Sequence, residues 1–232
     1  MSITLIKTKR EIKLKQLENA LKRHKILMPD YIKEDIRFEE FSAGELIHTA
    51  HDEVQNMSIL FSGRIFISSA SAEGREFAFA KEQTLTLLGD LEYLSQHMVY
   101  ASSVIARTDV ALGTISFNLF DKWLEDKNFR NYVLQCVANK GYRMTASQGT
   151  SKFYKPIQKV VNVLMSDIHY FSSNSDLYVV NYTHNDLSLI TGLSNRTINR
   201  AIQSLVQQKL IVVKRGKIII KISDVNTLAD ML

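Results

Sequence analysis

Cysteine is almost missing from this chain: Cys136 is the single one among 232 residues, so no intrachain disulfide framework can hold the fold together. That scarcity points to a reducing compartment, and the expected location is the cytoplasm. No apolar run approaches the roughly 20 residues that a membrane-spanning helix needs, so no membrane partner is expected. The N-terminus is charged and amphipathic and has no apolar signal-peptide core. Low-complexity segments and internal repeats are also missing. An iron–sulfur centre would need several cysteines, and no local motif around the six histidines suggests haem. No nucleophile–base motif, phosphate loop or zinc spacing stands out, so no catalytic residue, metal ligand or cofactor is expected.

What is present suffices for two packed domains, with 45% hydrophobic residues. Charge is unevenly spread. The chain carries a formal +5, and residues from 151 onward hold 10 Lys and Arg against 5 Asp and no Glu, so residues 1–150 balance at 19 of each sign. An excess of positive charge in the C-terminal third suits a module that meets phosphates.

Residues 183–217, THNDLSLITGLSNRTINRAIQSLVQQKLIVVKRGK, are the most informative stretch. A short helix pattern from Asn185 to Ile190 runs into a turn at Gly192, where the backbone must be permissive. A second helix pattern spans Asn195 to Gln207, followed by two apolar runs around the basic turn Lys214-Arg215-Gly216-Lys217. Leu187, Ile190, Leu193, Ile198, Ile202 and Leu205 form one seam at helical intervals. Thr183 and Asp186 have the spacing of a capping box, and Ser194 can cap the second helix. This layout predicts a winged helix-turn-helix, whose second helix fits the major groove. Its first exposed residues, Asn195, Arg196, Asn199 and Arg200, are amides and guanidiniums, which make bidentate contacts to adenine and guanine. The expected DNA-binding set also includes Thr183, His184, Asn185, Ser194 and Thr197, and the wing cations Lys214, Arg215 and Lys217. Lys209 and Lys221 extend the basic cluster. The expected partner is an operator in double-stranded DNA.

Upstream, residues 9–27 read as an amphipathic helix. Residues 36–118 hold short runs rich in β-branched and aromatic residues, broken at Ala43-Gly44, Gly63, Glu73-Gly74 and Gly89, the signature of a β-sandwich or jelly-roll barrel. Residues 119–149 read as helical again. Gly149 and Pro156 mark a boundary, and residues 156–170 form another helix. The expected class is α+β in three parts: a sensor barrel with an N-terminal helix at 1–120, a long helix at 121–150, and the winged helix-turn-helix at 151–232.

The segment FSAGELIHTAHDEVQNMSILFSGRIFIS is similar to the strand pattern of cyclic-nucleotide-binding-type barrels, LLGDLEYL matches their Gly-Glu pocket loop, and GLSNRTINR resembles a recognition helix. Together these segments resemble the Crp/Fnr family of bacterial transcription regulators over nearly the whole chain. The resemblance implies a homodimer paired through the long helix, RNA polymerase as a partner, and a small-molecule effector in the barrel. Thr197 and Arg200 match well-kept motif positions; Asn195 and Arg196 fall where operator preference is set. The stripe Phe129, Val133, Cys136, Val137, Lys140 and Met144 is the expected dimer face, with Gly141 weakening the helix. Cys136 reads as a packing residue.

The resemblance also places the effector pocket at Leu88, Gly89, Asp90 and Leu91, facing Tyr100, Ala101, Ser102 and Ser103. In family members that bind a cyclic nucleotide, an arginine ten residues beyond the pocket Glu pairs with the phosphate. Here Asp90 takes the Glu place, and the residue ten beyond it is Tyr100. A tyrosine lacks the forked, charged contact of a guanidinium, and Arg107 lies too far along the strand to replace it. Neither cyclic AMP nor cyclic GMP is therefore expected to bind. The effector is then another small molecule, or the barrel is only a dimer scaffold. An alternative class is a cupin-like metal-dependent enzyme with a DNA-binding tail, carried by His48, His51, Asp52 and Glu53. On a strand, however, positions 48 and 51 face opposite sides, so a solvated turn at His51-Asp52-Glu53 is the better reading.

Overall fold

The protein is described by a computed structural model covering residues 2–70, 76–82, 85–150, 154–168, 175–180 and 182–232. It divides into two compact units, one formed by Met1–Ser69 with Phe79–Met144 and the other by Ala70–Ala78 with Thr145–Leu232.

The first unit opens with α1 (Ser2–Lys22) and α2 (Asp30–Asp35). Eight strands follow: β1 (Arg37–Phe41), β2 (Leu46–His48), β3 (Met57–Ser62), β4 (Ile65–Ala70), β5 (Glu76–Glu82), β6 (Thr86–Leu88), β7 (Ser103–Ala106) and β8 (Val110–Ile115). A short helix, α3 (Asp90–Leu94), sits between β6 and β7, and α4 (Phe117–Trp123) and α5 (Lys127–Thr150) follow β8. The strands form two four-stranded sheets, ordered β1-β8-β3-β6 and β2-β7-β4-β5. Such non-consecutive neighbours are those of a jelly roll.

The two-residue period of the strands sorts side chains into two cores. Leu60, Leu88, Val110 and Leu112 from the first sheet meet Ile65, Val104 and Ala106 from the second, filling the interior of the sandwich. On the other face of the first sheet, Met57, Ile59, Phe61, Leu87 and Ile115 pack against Leu17 and Leu21 of α1, Ile32 of α2, Phe120 and Trp123 of α4, and Phe129 and Val133 of α5. Because β3 buries both faces, its sequence MSILFS reads as a continuous apolar run rather than an alternation. Gly63 turns β3 into β4 at φ +90°, and a Cβ there would lie 2.3 Å from the carbonyl oxygen of Asp109, so only glycine fits.

Two helix boundaries differ from the sequence reading. The N-terminal helix ends at Lys22 rather than 27, because the chain must turn to bury Ile26 in the core. The stretch at 119–149 is two helices rather than one. The side chain of Asp126 accepts a hydrogen bond of 2.8 Å from the Phe129 N–H, starting α5 afresh with an N-terminal carboxylate. The expected break at Glu73-Gly74 lies outside the described residues.

The second unit contains α6 (Pro156–Ile168), β9 (Leu177–Val179), α7 (His184–Thr191), α8 (Asn195–Gln207), β10 (Val212–Lys214), β11 (Lys217–Lys221) and α9 (Val225–Ala229). Its core joins Val160, Val161 and Leu164 of α6 to Leu187 of α7, Ile198, Ile202 and Leu205 of α8, and Ile218 and Ile220 of β11. The three-stranded sheet runs β10-β11-β9. β9 was not foreseen in the sequence.

Candidate nucleic-acid interface and barrel pocket

The start of α7 is fixed by a reciprocal cap. The Asp186 N–H donates to Thr183 Oγ1 at 3.2 Å while the Thr183 N–H donates to Asp186 Oδ2 at 2.7 Å, so two otherwise orphaned donors are satisfied together. The helix ends at Gly192 in the left-handed region, φ 69°. Side chains then hold the turn: Ser188 Oγ donates to the Leu193 carbonyl at 2.5 Å and Thr191 Oγ1 to the Leu187 carbonyl at 2.6 Å. Ser194 caps α8 by accepting from the Thr197 N–H at 3.2 Å, with the two hydroxyls 2.9 Å apart.

From that cap, helical periodicity separates the faces of α8. Ile198, Ala201, Ile202 and Leu205 are buried, and Asn195, Arg196, Asn199 and Arg200 are exposed. Gln203 continues the exposed face; its place three residues after Arg200 is the signal that could have added it to the expected set. Among the described residues, no side-chain hydrogen bond or ion pair engages Arg196, Asn199 or Arg200. Asn195 Nδ2 donates to Asn185 Oδ1 at 3.1 Å, which clasps the two helix starts together. Thr183 is exposed and His184 half-buried beside them.

The wing is a two-residue hairpin in which Lys214 pairs with Lys217. Arg215 and Gly216 both adopt positive φ, 51° and 75°, the left-handed pair that matches the twist of a tight hairpin. Lys214, Arg215 and Lys217 are all exposed, as are Lys209 and Lys221.

In the first unit, Gly89 adopts φ 89° and leads into α3. Leu88 is buried in the sandwich interior and Leu91 is half-buried. Asp90 is 1% exposed, and its Oδ1 accepts from the ammonium of Lys140 at 2.6 Å. The same ammonium donates to the Leu87 carbonyl at 2.8 Å. Tyr100 stacks on His48 with ring centroids 3.6 Å apart and planes 8° from parallel. Its backbone pairs with the turn at 51–52, through Tyr100 N–H to the Asp52 carbonyl and His51 N–H to the Tyr100 carbonyl, at 2.9 and 2.8 Å. Beside it the Ala101 N–H donates to Glu92 Oε1 at 3.1 Å, and Ser103 Oγ accepts from the Ala50 N–H at 3.0 Å. Ser102 is half-buried. Burial pushes the Tyr100 phenol up, and the nearby carboxylates of Glu92, Glu39 and Asp52 push it further. Burial also holds the His48 imidazole down at about 4. His51, at φ 73°, sits in an exposed turn with Asp52 and Glu53, as the sequence reading expected. Among the described residues, no group of three His, Cys, Asp or Glu side chains could hold a metal ion.

The expected dimer stripe on α5 is corrected by the structure. Phe129 and Val133 are each 1% exposed and pack into the barrel core, with Cys136 partly buried against them and Lys140 turned to Asp90. The helix has an apolar side, and its own barrel claims it. Of that stripe Met144 is exposed, and among the described residues of α5 the other large exposed apolar side chains are Leu134 and Tyr142.

An antiparallel double-sheet barrel followed by a winged helix-turn-helix defines a DNA-binding regulator with a cyclic-nucleotide-binding-type sensor fold. The cyclic nucleotide-binding domain family matches residues 38–127, and the Crp-like helix-turn-helix domain family matches residues 158–231. With both matched in this order, the chain belongs to the Crp/Fnr family of transcription regulators. Solved structures share the fold. FixK2 from Bradyrhizobium japonicum superposes with a TM-score of 0.71 at 13% identity, covering 84% of this chain and 96% of that one. A CooA mutant from Carboxydothermus hydrogenoformans gives 0.72 at 12% identity, covering 87% and 89%. A Crp/Fnr-family transcriptional regulator from Thermus thermophilus, TTHA1359, gives 0.66 at 17%, covering 84% and 98%. No curated protein matches the chain by sequence.

Proposed function

We propose that this protein binds an operator in double-stranded DNA as a homodimer, with α8 in the major groove and the β10–β11 wing on the flanking phosphates. The observation that carries the reading is the exposed face of α8, where Arg196, Asn199 and Arg200 are engaged by nothing else among the described residues. Buried Ile198 and Ile202 fix the orientation of that face. The caps Thr183 and Ser194, with His184, Asn185 and Thr197, flank it as contacts to the DNA backbone, and Lys214, Arg215 and Lys217 supply cations. On α5, Leu134, Val137, Gly141 and Met144 recur at three- and four-residue spacing on the flank beside Phe129 and Val133, a seam suited to a second copy. Gly141 has no neighbour within 4 Å of where a Cβ would stand, so the packing of this chain does not itself require a glycine there. RNA polymerase is the further partner that the family membership suggests, and the location consistent with both is the cytoplasm. No helix among the described residues is long and apolar enough to cross a membrane.

The barrel residues do not fit a cyclic phosphate. Tyr100 stands where a cation would be needed, among carboxylates that repel an anion. The Ala101 N–H, a possible anion donor, already serves Glu92. Neither cyclic AMP nor cyclic GMP therefore serves this regulator as an effector. A metal-enzyme reading has no support from His48, which stacks on Tyr100. Selection of bound sequences from a random DNA pool tests the function. Recovery of palindromic sites with half-sites one helical turn apart supports the homodimeric regulator, and no enrichment over the starting pool removes it.

A further inference from the structure

We propose that Lys140 is an internal ligand of the barrel, whose ammonium fills the effector-reading place at Asp90 and fixes α5 against the pocket loop without a small molecule. The consequence for DNA rests on the function proposed above; the tie itself rests on the barrel alone.

A carboxylate that is 1% exposed needs a compensating charge. Asp90 finds one in Lys140, itself only 8% exposed, at 2.6 Å. Among the described residues, Asp90 Oδ2 has no hydrogen-bond partner, and the ammonium alone answers this acid. The second contact of Lys140, to the Leu87 carbonyl at 2.8 Å, adds the end of β6. One side chain thus gathers β6, the start of α3 and α5, across 50 positions of sequence. A ligand hydroxyl offered to Asp90 would have to displace an ammonium and exchange a charge-assisted contact for a neutral one. The opposite polarity is treated in the same way, because the Ala101 N–H holds the chain's own carboxylate, Glu92. The chain therefore supplies both the cation and the anion that an effector could have brought.

The place of Lys140 along α5 gives the contact its leverage. Phe129, Val133, Cys136 and Lys140 follow one another at helical spacing on the face turned to the barrel. Residues 141–145 are all exposed. Lys140 is thus the buried residue nearest to Thr145 among the described side chains of α5. Releasing it removes the tie from α5 to Asp90 and Leu87, while Phe129 and Val133 stay packed.

The test uses the full chain, Lys140→Met, and the double variant Asp90→Asn with Lys140→Gln. The double variant leaves no uncompensated charge and so keeps the fold if the single one does not. Amide hydrogen exchange is read without DNA. Both variants should exchange at least about tenfold faster in α3 and in residues 136–144, with β3 and β8 unchanged. Operator binding is then measured with no addition, with cyclic AMP or cyclic GMP, and with the low-molecular-mass filtrate of a cell extract. The parent should bind equally in every arm, and the variants at least about tenfold more weakly. Exchange and binding of the double variant equal to the parent's would overturn the proposal, as would a parent that binds only with the filtrate. A parent that binds no DNA in any arm, with the local exchange change present, leaves the internal ligand standing and removes the DNA-binding reading instead.

Discussion

His48 makes the barrel's stability depend on pH in a way that can be worked out in advance. Its imidazole is half-buried against Tyr100 and titrates at about 4 in the folded chain, against 6.5 when exposed. Above pH 6.5 the ring is neutral in both states and contributes no pH dependence. As pH falls from 6.5 toward 4 the unfolded chain binds a proton that the folded chain refuses, so stability is lost on acidification through that window. From these two values the loss between pH 8 and pH 5 is about 2 kcal/mol. Other groups titrate over the same range, so the quantity to measure is the parent minus His48→Phe, which keeps a ring for Tyr100 to stack on but cannot take a proton. Trp123 is the single tryptophan, fully buried and stacked on Phe129 at 3.9 Å. Its fluorescence during urea unfolding therefore reports the first unit alone. The parent should lose about 2 kcal/mol relative to the variant on going from pH 8 to pH 5. A difference that stays level across that interval would refute the burial argument for this ring.

Arg200→Ala should weaken binding to the selected operator by about 1–3 kcal/mol and relax discrimination at one base pair; unchanged affinity and specificity in a mobility-shift assay would mean that the reading face of α8 is misplaced. Arg196→Ala is expected to do the same at a neighbouring position. Replacing Lys214, Arg215 or Lys217 by alanine should weaken all sequences alike and lower the salt slope of binding by about one, and a loss confined to one operator would contradict a phosphate role. Isothermal titration with cyclic AMP and cyclic GMP should give no heat of binding at physiological concentrations, because Tyr100 and its surrounding carboxylates offer the phosphate no cation; micromolar binding with tighter operator affinity would sink that expectation.

The helix-turn-helix was legible in the sequence because its determinants are local. Thr183 and Asp186 meet within one turn, Gly192 marks the left-handed stop, and Ile198 and Ile202 show which side of α8 must be inward. β9 was not legible. Three residues carry too little pattern, and Tyr178 becomes core only by pairing opposite Ile220, far along the chain. The stripe on α5 shows a different limit. Periodicity at Phe129 and Val133 reveals that a face is buried but not what buries it, and the barrel and a second copy make the same demand. Lys140 is the one charged residue in that stripe, and its partner, Asp90, lies 50 positions earlier, out of reach of any local pattern. The barrel pocket was read as a list of positions; that Glu92 and Lys140 would answer its polar groups depended on three-dimensional closure.

The caps of the helix-turn-helix divide one functional group between two tasks. Thr183 holds α7 through a lone pair that receives the Asp186 N–H, which leaves its hydroxyl hydrogen to donate to a phosphate oxygen. An aspartate at that position would offer a carboxylate lone pair to the same N–H, so the acceptor half of the cap would be kept. It would bring no hydrogen to donate, and its charge would push the phosphate away. Folding reads the acceptor half of the hydroxyl, and in the proposed complex DNA would read the donor half. A lineage carrying this fold could therefore silence or restore a contact by one substitution, without passing through a sequence that fails to fold.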